Sequence, residues 1–249
     1  MSVGNASCLV CGESLTYRQE AYEVECVLCH KKEIGHSTCI RGHYICDACH
    51  RAAGVNSIMD LCRASSSDDP FAIAVEAMND RAVYPNGPEH HTLVGAALLS
   101  AYRNAGGDLD LVKALDELRV RSLEVPGGTC GFWGCCGTAI SSGIYMSIVT
   151  GSTPMTVEPW ARSTRLTSLI LSRLAELGGP RCCKRTSFAS LEISVGYTAD
   201  LLQVQMHLPS KMVCAFSSGN PECLGARCPY SPRSTSTSAR ESQHVSGHD

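Results

Sequence analysis

The 249-residue sequence contains no long hydrophobic run, few aromatic residues and no excess of basic charge. No apolar run reaches the roughly 18 residues that a membrane-spanning helix needs, and the start, MSVGNASC, lacks the basic and apolar regions of a secretory signal. We therefore expect a cytoplasmic protein with no membrane partner. The net charge of -3 and the pI near 6.3 give no basic field, which argues against nucleic acid as a partner.

The sequence also lacks the motifs of nucleotide-binding enzymes. No G-x-G-x-x-G run follows a strand, and predicted strands do not alternate with helices. This absence counts against a Rossmann domain and against a typical methyltransferase. The chain length and the 44% hydrophobic content instead predict one substantial core with a small appendage.

Cysteine, in contrast, is abundant, with 16 in the chain. In a reducing compartment such a dense set of thiols indicates metal ligation or redox work rather than structural disulfides. Buried cysteines that act as small hydrophobic residues are the alternative, and this interpretation suits Cys62, which stands alone in MDLCRA. The other cysteines fall in groups and need a different explanation.

Residues 1–52 form a head that is too small to fold on apolar packing alone, and two zinc ions are predicted to stabilise it. We expect two C-x2-C knuckles, with ESLTYRQEAYEVE as a hairpin between them, to share the first ion through Cys8, Cys11, Cys26 and Cys29. The C-x3-H-x2-C-x2-C run would hold the second ion through Cys39, His43, Cys46 and Cys49. One zinc with free thiols, and disulfides, are the alternatives; the competing ligands are His30, His36 and His50.

The rest of the chain is predicted to be helical. The polar stretch RASSSDDP indicates a linker over 53–70, in which Asp69 and Pro70 form the N-cap and first residue of a helix. Apolar residues at helical spacing then predict a domain over 71–229, and the serine-rich residues 230–249 are predicted to be disordered. The fold class is therefore mainly α: a small zinc-ribbon-like N-terminal domain followed by an all-helical cysteine-rich domain.

Two groups of cysteines in the helical domain stand at predicted helix starts. In PGGTCGFWGCCGTAISSG, a helix beginning near Cys136 points its free amides back at Cys130, Cys135 and Cys136. In GGPRCCKRTS, a helix predicted to start at Thr186 and flanking basic residues should lower the pKa of Cys182 and Cys183. Both groups are therefore expected to be reactive or metal-bound thiolates.

A third group lies in the loop CAFSSGNPECLGARCPY, and together the groups favour an iron–sulfur cluster. Thiolates from separated segments suit such a cluster better than zinc, and the cations of RCCKR would offset its charge. A thiol–disulfide redox pair, zinc and inert cysteines are the alternatives. The inner, catalytic set is predicted to be Cys130, Cys136, Cys182, Cys183 and His91. The cofactor-binding set that closes the site is predicted to be Cys214, Cys223 and Cys228.

Histidines open another predicted helix, in GPEHHTLVGAALL. His90 and His91 fall in its first turn, where the helix dipole favours the neutral imidazole that can act as a ligand or a base. We expect His91 to be a proton donor or an extra ligand of the core site. A capping or core role for both histidines is the alternative.

Specific motifs run through nearly the whole chain from Cys8 to Pro229: GHYICDACH, GPEHHTLVGAALL, PGGTCGFWGCCGTAISSGI, TGSTPM, GGPRCCKR and NPECLGARCP. In these motifs the chain resembles an uncharacterised archaeal and bacterial family catalogued as a domain of unknown function (number 5714). In the family pattern a small residue usually precedes the final cysteine of CGFWGCCG, so Cys135 is an addition of this chain. The helix led by Cys136 also resembles, faintly, redox-associated proteins with a C, GCAxxG, C, C signature, a likeness that implies metal or redox work.

Three functions are compatible with these features. The leading interpretation is a metalloprotein for redox or sulfur-transfer chemistry, with a small molecule or a redox or sulfur-carrying protein as its partner. The alternative is a non-enzymatic adaptor in which the zinc head recognises a partner and the core cysteines are structural. A zinc hydrolase or transferase would need an open zinc position beside His91 and Glu89, whose spacing is not that of a known zinc helix. The sequence leaves the substrate and the formation of a homo-oligomer open.

Overall fold

The computed structural model describes residues 7–234, and in this part of the chain a two-stranded sheet precedes eight α-helices. The strands are β1 (Leu15–Glu25) and β2 (Lys32–Cys39). The helices are α1 (Asp47–Ala64), α2 (Pro70–Met78), α3 (His90–Asn104), α4 (Leu111–Leu123), α5 (Thr129–Phe132), α6 (Gly137–Thr150), α7 (Glu158–Leu177) and α8 (Cys183–Leu202). Two 3-10 turns follow at Ser217–Gly219 and Gly225–Arg227. Among these described helices, none has the length and apolar character needed to span a membrane.

The strands form one antiparallel hairpin in the head. Leu15 pairs with Cys39 and Glu25 pairs with Lys32, so the turn of the hairpin comprises residues 26–31. The prediction of a complete hairpin within ESLTYRQEAYEVE is wrong, because most of that segment is the single strand β1. The turn that reverses the chain instead contains the second C-x2-C knuckle.

α1 connects the head to the helical core without a break. Its first turn carries Cys49, whereas Ile58, Met59 and Cys62 further along are fully buried in the main core. The predicted linker over 53–70 therefore begins too early, since the chain remains helical through Ala64. The interpretation of Cys62 as a buried structural residue agrees with its 1% exposure.

α3 is the central helix of the core. Every residue from His90 to Tyr102 is buried, and α1, α2, α4, α6 and α8 all contact this helix. α6 crosses it closely at Gly95, whose N–H donates to Ser141 Oγ at 2.9 Å. The missing side chain of Gly95 is what permits this approach.

The starts of α2 and α8 test two predicted N-caps. The Asp69 carboxylate accepts hydrogen bonds from the N–H groups of Phe71 and Ala72, which confirms the predicted start of α2. The predicted start of α8 at Thr186 is wrong, because the helix begins at Cys183 with Cys182 as its N-cap. The two cysteines thus lie within the helix start rather than ahead of it.

The segment after α8 folds back over the helical core. Tyr230 is buried, packs edge to face on Phe188 with ring centroids 5.6 Å apart, and donates a hydrogen bond to Glu192 Oε2 at 2.9 Å. The predicted disordered tail over 230–249 therefore starts too early, since Tyr230 and Ser231 are buried. The remainder of that prediction, 235–249, lies outside the described residues.

Gly95→Ala is expected to destabilise the protein by about 1 to 3 kcal/mol through overpacking. A Cβ at this position would lie 2.6 Å from Leu118 Cδ1 and 2.9 Å from Ser141 Oγ. Gly196→Ala is the matched control, because it lies on the exposed side of α8 with nothing within 4 Å of its Cβ, and should stabilise by about 0.5 to 1 kcal/mol. Urea unfolding measures both; equal midpoints would show that α3 and α6 are not in close contact.

Candidate metal centres

The head contains two clusters of side chains whose ligand atoms all lie within 4.8 Å of one another. The first cluster comprises Cys8, Cys11, Cys39 and His43. The second comprises Cys26, Cys29, Cys46 and Cys49. Each offers four sulfur or nitrogen ligands, the number and type that a tetrahedral zinc ion takes. Each cluster could therefore hold one metal ion, and together they use the eight residues predicted as metal ligands.

The predicted division of these ligands between two ions is wrong, because the two C-x2-C knuckles belong to different clusters. Cys39 pairs with Leu15 at the open end of the hairpin, whereas Cys26 and Cys29 lie in its turn. At about 3.3 Å per residue, the length of β2 separates these ends by roughly 23 Å. No single ion can bridge that distance, so each knuckle takes its partners from the end of β2 or from the segment after it.

Backbone amides favour thiolates in both head clusters. His43 N–H donates to Cys39 Sγ at 3.3 Å, and Cys46 N–H donates to Cys26 Sγ at 3.4 Å. Desolvation raises the pKa of both thiols, but the amide donors outweigh it and lower the pKa of Cys26 to about 6 and that of Cys39 to about 7. Since metals bind the thiolate form, this bonding prepares both clusters for a cation.

In the helical domain, four cysteines from separate parts of the chain line one small cavity, which we call the four-cysteine cavity. They are Cys182, Cys214, Cys223 and Cys228. The first is the N-cap of α8, and the other three belong to the segment that folds back over this helix. The cavity encloses about 20 Å³, which is room for one sphere of the size of a water molecule.

N–H groups also surround the sulfurs of the four-cysteine cavity. Phe216 N–H donates to Cys214 Sγ and Gly225 N–H donates to Cys223 Sγ, both at 3.4 Å. The side-chain amide of Asn220 donates to Cys182 Sγ at 3.3 Å. These sulfurs therefore accept hydrogen bonds from N–H groups, as the sulfurs of Cys26 and Cys39 do in the head.

Two buried cations line the same cavity. Lys184 and Arg185 are each only 4% exposed, and neither belongs to an ion pair with a carboxylate in residues 7–234. Arg185 donates to the carbonyl oxygens of Gly178 at 2.8 Å and Pro180 at 2.6 Å, so its guanidinium is fixed near the start of α8. Buried cations are normally paired with a negative charge, and the nearby groups that can supply it are the cysteines and, for Lys184, Glu89.

Lys184 is held between the thiols and α3. Its Nζ lies 3.3 Å from His90 Nε2 and 4.9 Å from the centroid of the Phe216 ring. His90 Nδ1 lies 3.2 Å from the carbonyl oxygen of Gly87, which makes Nδ1 the protonated nitrogen and Nε2 the acceptor. Burial lowers the pKa of Lys184, and the neighbouring Cys183 and Glu89 oppose this effect. Burial is the larger of the two, and the resulting pKa is about 8.

The four core sulfurs are spread more widely than the ligands of the head. In residues 7–234, only the two head clusters bring three or more candidate ligand atoms within 4.8 Å of one another. A single tetrahedral ion needs its ligands as close together as that. An iron–sulfur cluster distributes its cysteines over several irons, so a wider arrangement of four thiols suits it better.

Burial keeps several core thiols protonated in the metal-free chain. It raises the pKa of Cys214 and Cys228, and it raises that of Cys183 to about 12. The prediction that a helix start and basic neighbours would lower the pKa of Cys183 is therefore wrong, because desolvation outweighs them. A bound metal would have to displace these protons.

The five residues of the predicted inner set, all within 7–234, do not form a group of three or more ligand atoms within 4.8 Å of one another, although Cys136 and Cys182 lie close enough to Cys183 to raise the pKa of its thiol. Of its five members, only Cys182 lines the four-cysteine cavity. Cys130 is exposed on α5, and Cys136 is the N-cap of α6, with its Sγ 3.2 Å from Thr138 Oγ1. Cys183 binds Asn86 Oδ1 through its own N–H at 2.9 Å.

His91 likewise lies away from the four-cysteine cavity. Its Nδ1 is 3.2 Å from the carbonyl oxygen of Val125, and its ring occupies the space where a Cβ of Gly137 would be. Burial lowers its pKa, which favours the neutral ring and makes it a poor proton donor. Glu89 accepts a hydrogen bond from Tyr84 N–H at 2.7 Å and shares no metal-ligand group with His91 in residues 7–234, so a hydrolase site on this pair has no support.

Sequence reasoning missed two residues of the four-cysteine cavity, and it named His90 as a candidate without linking it to this cavity. Phe216 and Asn220 line the cavity, and His90 contacts Lys184 there. The NPEC motif marks Asn220 as a turn residue close to Cys223, which is a weak signal for its bond to a thiol. Phe216 carries no signal of its own, because its segment has neither helical nor strand periodicity.

Comparison with known families covers the helical part of the chain. Residues 58–231 match the model of a family described as "Family of unknown function (DUF5714)". No curated protein and no solved structure matches the chain. The matched region contains all four residues of the four-cysteine cavity and begins after the eight head ligands.

The interleaved head clusters predict which pairs of substitutions remove one ion and which remove two. Cys11→Ala with Cys39→Ala damages only the first cluster, so the variant should keep the metal of the second. Cys11→Ala with Cys29→Ala damages both clusters and should leave no intact head site. Zinc content of the purified variants, measured against the unsubstituted chain, checks this expectation. If the variant with Cys11→Ala and Cys29→Ala lost only one zinc ion, the two C-x2-C knuckles would bind the same ion and the assignment of the clusters would be wrong.

Proposed function

The chain belongs to the DUF5714 family of unknown function, and from its own residues we propose that it is an iron–sulfur protein for redox or sulfur-transfer chemistry. The cluster would be bound by Cys182, Cys214, Cys223 and Cys228, and the four-cysteine cavity would have to widen from its present volume of about 20 Å³ to admit it. The two head clusters would bind structural zinc. Bound there, an iron–sulfur cluster would supply one-electron chemistry or labile sulfur.

One observation carries this proposal: four cysteines converge on a cavity that also contains two buried cations without carboxylate partners. Four thiolates bring more negative charge than a small buried site tolerates. Lys184 and Arg185 offset that charge, and the iron ions of a cluster would offset the rest. Four inert thiols would leave Arg185 with carbonyl oxygens alone and Lys184 with only the more distant Glu89 as counter-charge, so they account for this arrangement less well.

The N–H donors support the same assignment. Hydrogen bonds to cysteine sulfur raise the reduction potential of a cluster and fix the orientation of its ligands. Phe216 and Gly225 supply such bonds from the backbone, and Asn220 supplies one from its side chain. The residues around the sulfurs would thus position the cluster and tune its potential.

The head clusters differ from the core site in a way that favours a structural role. Each has four close protein ligands, which leaves no open position for substrate on a tetrahedral zinc ion. The ion of the second cluster would also fix the first turn of α1, because Cys49 is part of that turn. Zinc in the head would therefore stabilise the attachment of the head to the core.

A binding role for the head is the second candidate function. Three apolar residues beside the metal ligands are exposed: Val10 by 46%, Leu28 by 56% and Ile40 by 61%. Exposed apolar side chains of this kind suit contact with another protein. In the adaptor alternative a partner would contact Val10 and Ile40 beside the first cluster or Leu28 beside the second, which lie at opposite ends of the hairpin, and the core would contain no iron.

Anaerobically purified protein is expected to contain iron, acid-labile sulfide and two zinc ions, and to absorb visible light. Cys223→Ser should lose iron, sulfide and colour but keep zinc, because Cys223 is a cavity cysteine outside the head clusters. Cys130→Ser is the matched control and should keep all of them, since Cys130 is an exposed cysteine of the same domain.

Metal analysis with an anaerobic absorption spectrum decides between these functions. Three zinc ions and no iron would mean that the four-cysteine cavity is a zinc site. Two zinc ions with no other metal would leave the adaptor as the function of the chain. Either result would overturn the iron–sulfur proposal.

A further inference from the structure

A cleft of about 700 Å³ lies between the head and the helical domain. From the head it is lined by residues of β2 and by His43 and Tyr44, and from the helical domain by Met78 and the loop 79–86. His50 and Tyr84 stack face to face across this boundary, with ring centroids 3.5 Å apart. A space of this size between two parts of a protein is typical of small-molecule sites.

The cleft adjoins a second space of about 260 Å³, which we call the inner pocket. The two share part of their lining: Met78, Val83, Pro85, Phe216 and Gly219. Most of the inner pocket is apolar. Lys184 is the one charged residue among the described residues that line it.

The inner pocket and the four-cysteine cavity are separated by one layer of side chains. Lys184, Phe216 and Asn220 line both spaces. Phe216 and Asn220 also donate N–H groups to the sulfurs of Cys214 and Cys182. A molecule in the inner pocket would therefore contact the residues that contact the sulfurs.

We propose that the inner pocket binds a small organic carboxylate, with its carboxylate on Lys184 and its apolar body toward the cleft. The binding of a carboxylate does not depend on the proposed function. The further statement that this molecule is the substrate of the core centre rests on the proposed function. Lys184 is only 4% exposed, and an ion pair with a buried ammonium group is stronger than one in water.

Lys184 has donor capacity left for such a ligand. An ammonium group carries three N–H donors, and the only acceptor bonded to Nζ among the described residues is His90 Nε2. A second side of the group faces the Phe216 ring. The Asn220 amide and the Ser218 hydroxyl also line the pocket and can complete the bonding of a carboxylate. The described residues that line the inner pocket include Lys184 and no arginine, and a single ammonium group suits a singly charged anion better than a phosphate.

Benzoate is a suitable probe, because it joins a carboxylate to an apolar ring, and benzamide is its uncharged counterpart of nearly the same shape. The full chain as purified is titrated with each, and binding is followed by ligand-observed NMR. Benzoate should bind and benzamide should bind at least about tenfold more weakly, as expected for loss of a charged hydrogen bond. Equal binding of the two, or no binding of benzoate, would overturn the proposal.

Lys184→Met removes the charge while keeping an unbranched side chain, and should weaken benzoate binding by about tenfold or more without affecting benzamide. Lys211→Met is the matched control, because Lys211 is exposed and lines none of the three spaces described here. In case Lys184→Met does not fold, Ser218→Trp fills the pocket from an exposed position, with the exposed Ser168→Trp on α7 as its control. Unchanged benzoate affinity in Ser218→Trp would overturn the assignment of the pocket.

The same titration separates this inference from the proposed function. If the protein contains no iron but binds benzoate through Lys184, the iron–sulfur proposal fails and the carboxylate site stands. If iron is present and bound benzoate alters the visible spectrum, the pocket serves the cluster. If iron is present and saturating benzoate leaves the spectrum unchanged, the pocket is not the substrate site of that centre.

Discussion

Two buried positive charges lie beside four cysteines in the core, and this burial is the constraint that the proposed site has to satisfy. Lys184 and Arg185 are almost completely buried, and the described residues give neither of them a carboxylate partner. Desolvating such cations costs several kcal/mol each unless an opposite charge lies nearby. The cysteines of the same cavity become that charge only when they are deprotonated, and burial opposes their deprotonation. The proposed metal centre would resolve both conflicts together, because metal binding would remove the protons from the thiols and leave thiolates beside the cations.

The head contributes to this site through its position as well as through its metals. Its second cluster includes Cys49 in the first turn of α1, and the buried side of that helix packs against α3. The head also forms one side of the cleft that leads toward Lys184. Binding of metal in the head would thus shape the approach to the core site, although no head residue lines the four-cysteine cavity.

Local spacing made some features predictable and long-range pairing made others unpredictable. The eight head ligands follow from short motifs, because a C-x2-C knuckle needs only a tight turn to present two sulfurs. Their division between two clusters depends on which residues form the turn of the hairpin. The alternation of polar and apolar residues within β1 does not show where that turn lies. In the core, Cys182 and Cys183 look equivalent in the sequence. Their different surroundings arise from how the segment 203–234 packs over α8, which has no periodic pattern to indicate it.

The motif RCCKR places a ligand and its counter-charges within one turn at the start of α8. Cys182 is the N-cap, and Lys184 and Arg185 follow it on the same helix, so their distance from the cavity is fixed by backbone geometry rather than by flexible side chains alone. Arg185 also binds the carbonyl oxygens ahead of the helix, which restrains the segment that carries Cys182. The other three cysteines come from a loop with only short 3-10 turns. The start of α8 thus supplies both cations and one cysteine, and the loop supplies the other three cysteines. If the loop moved outward, the cavity would widen around an incoming cluster while the cations stayed in place.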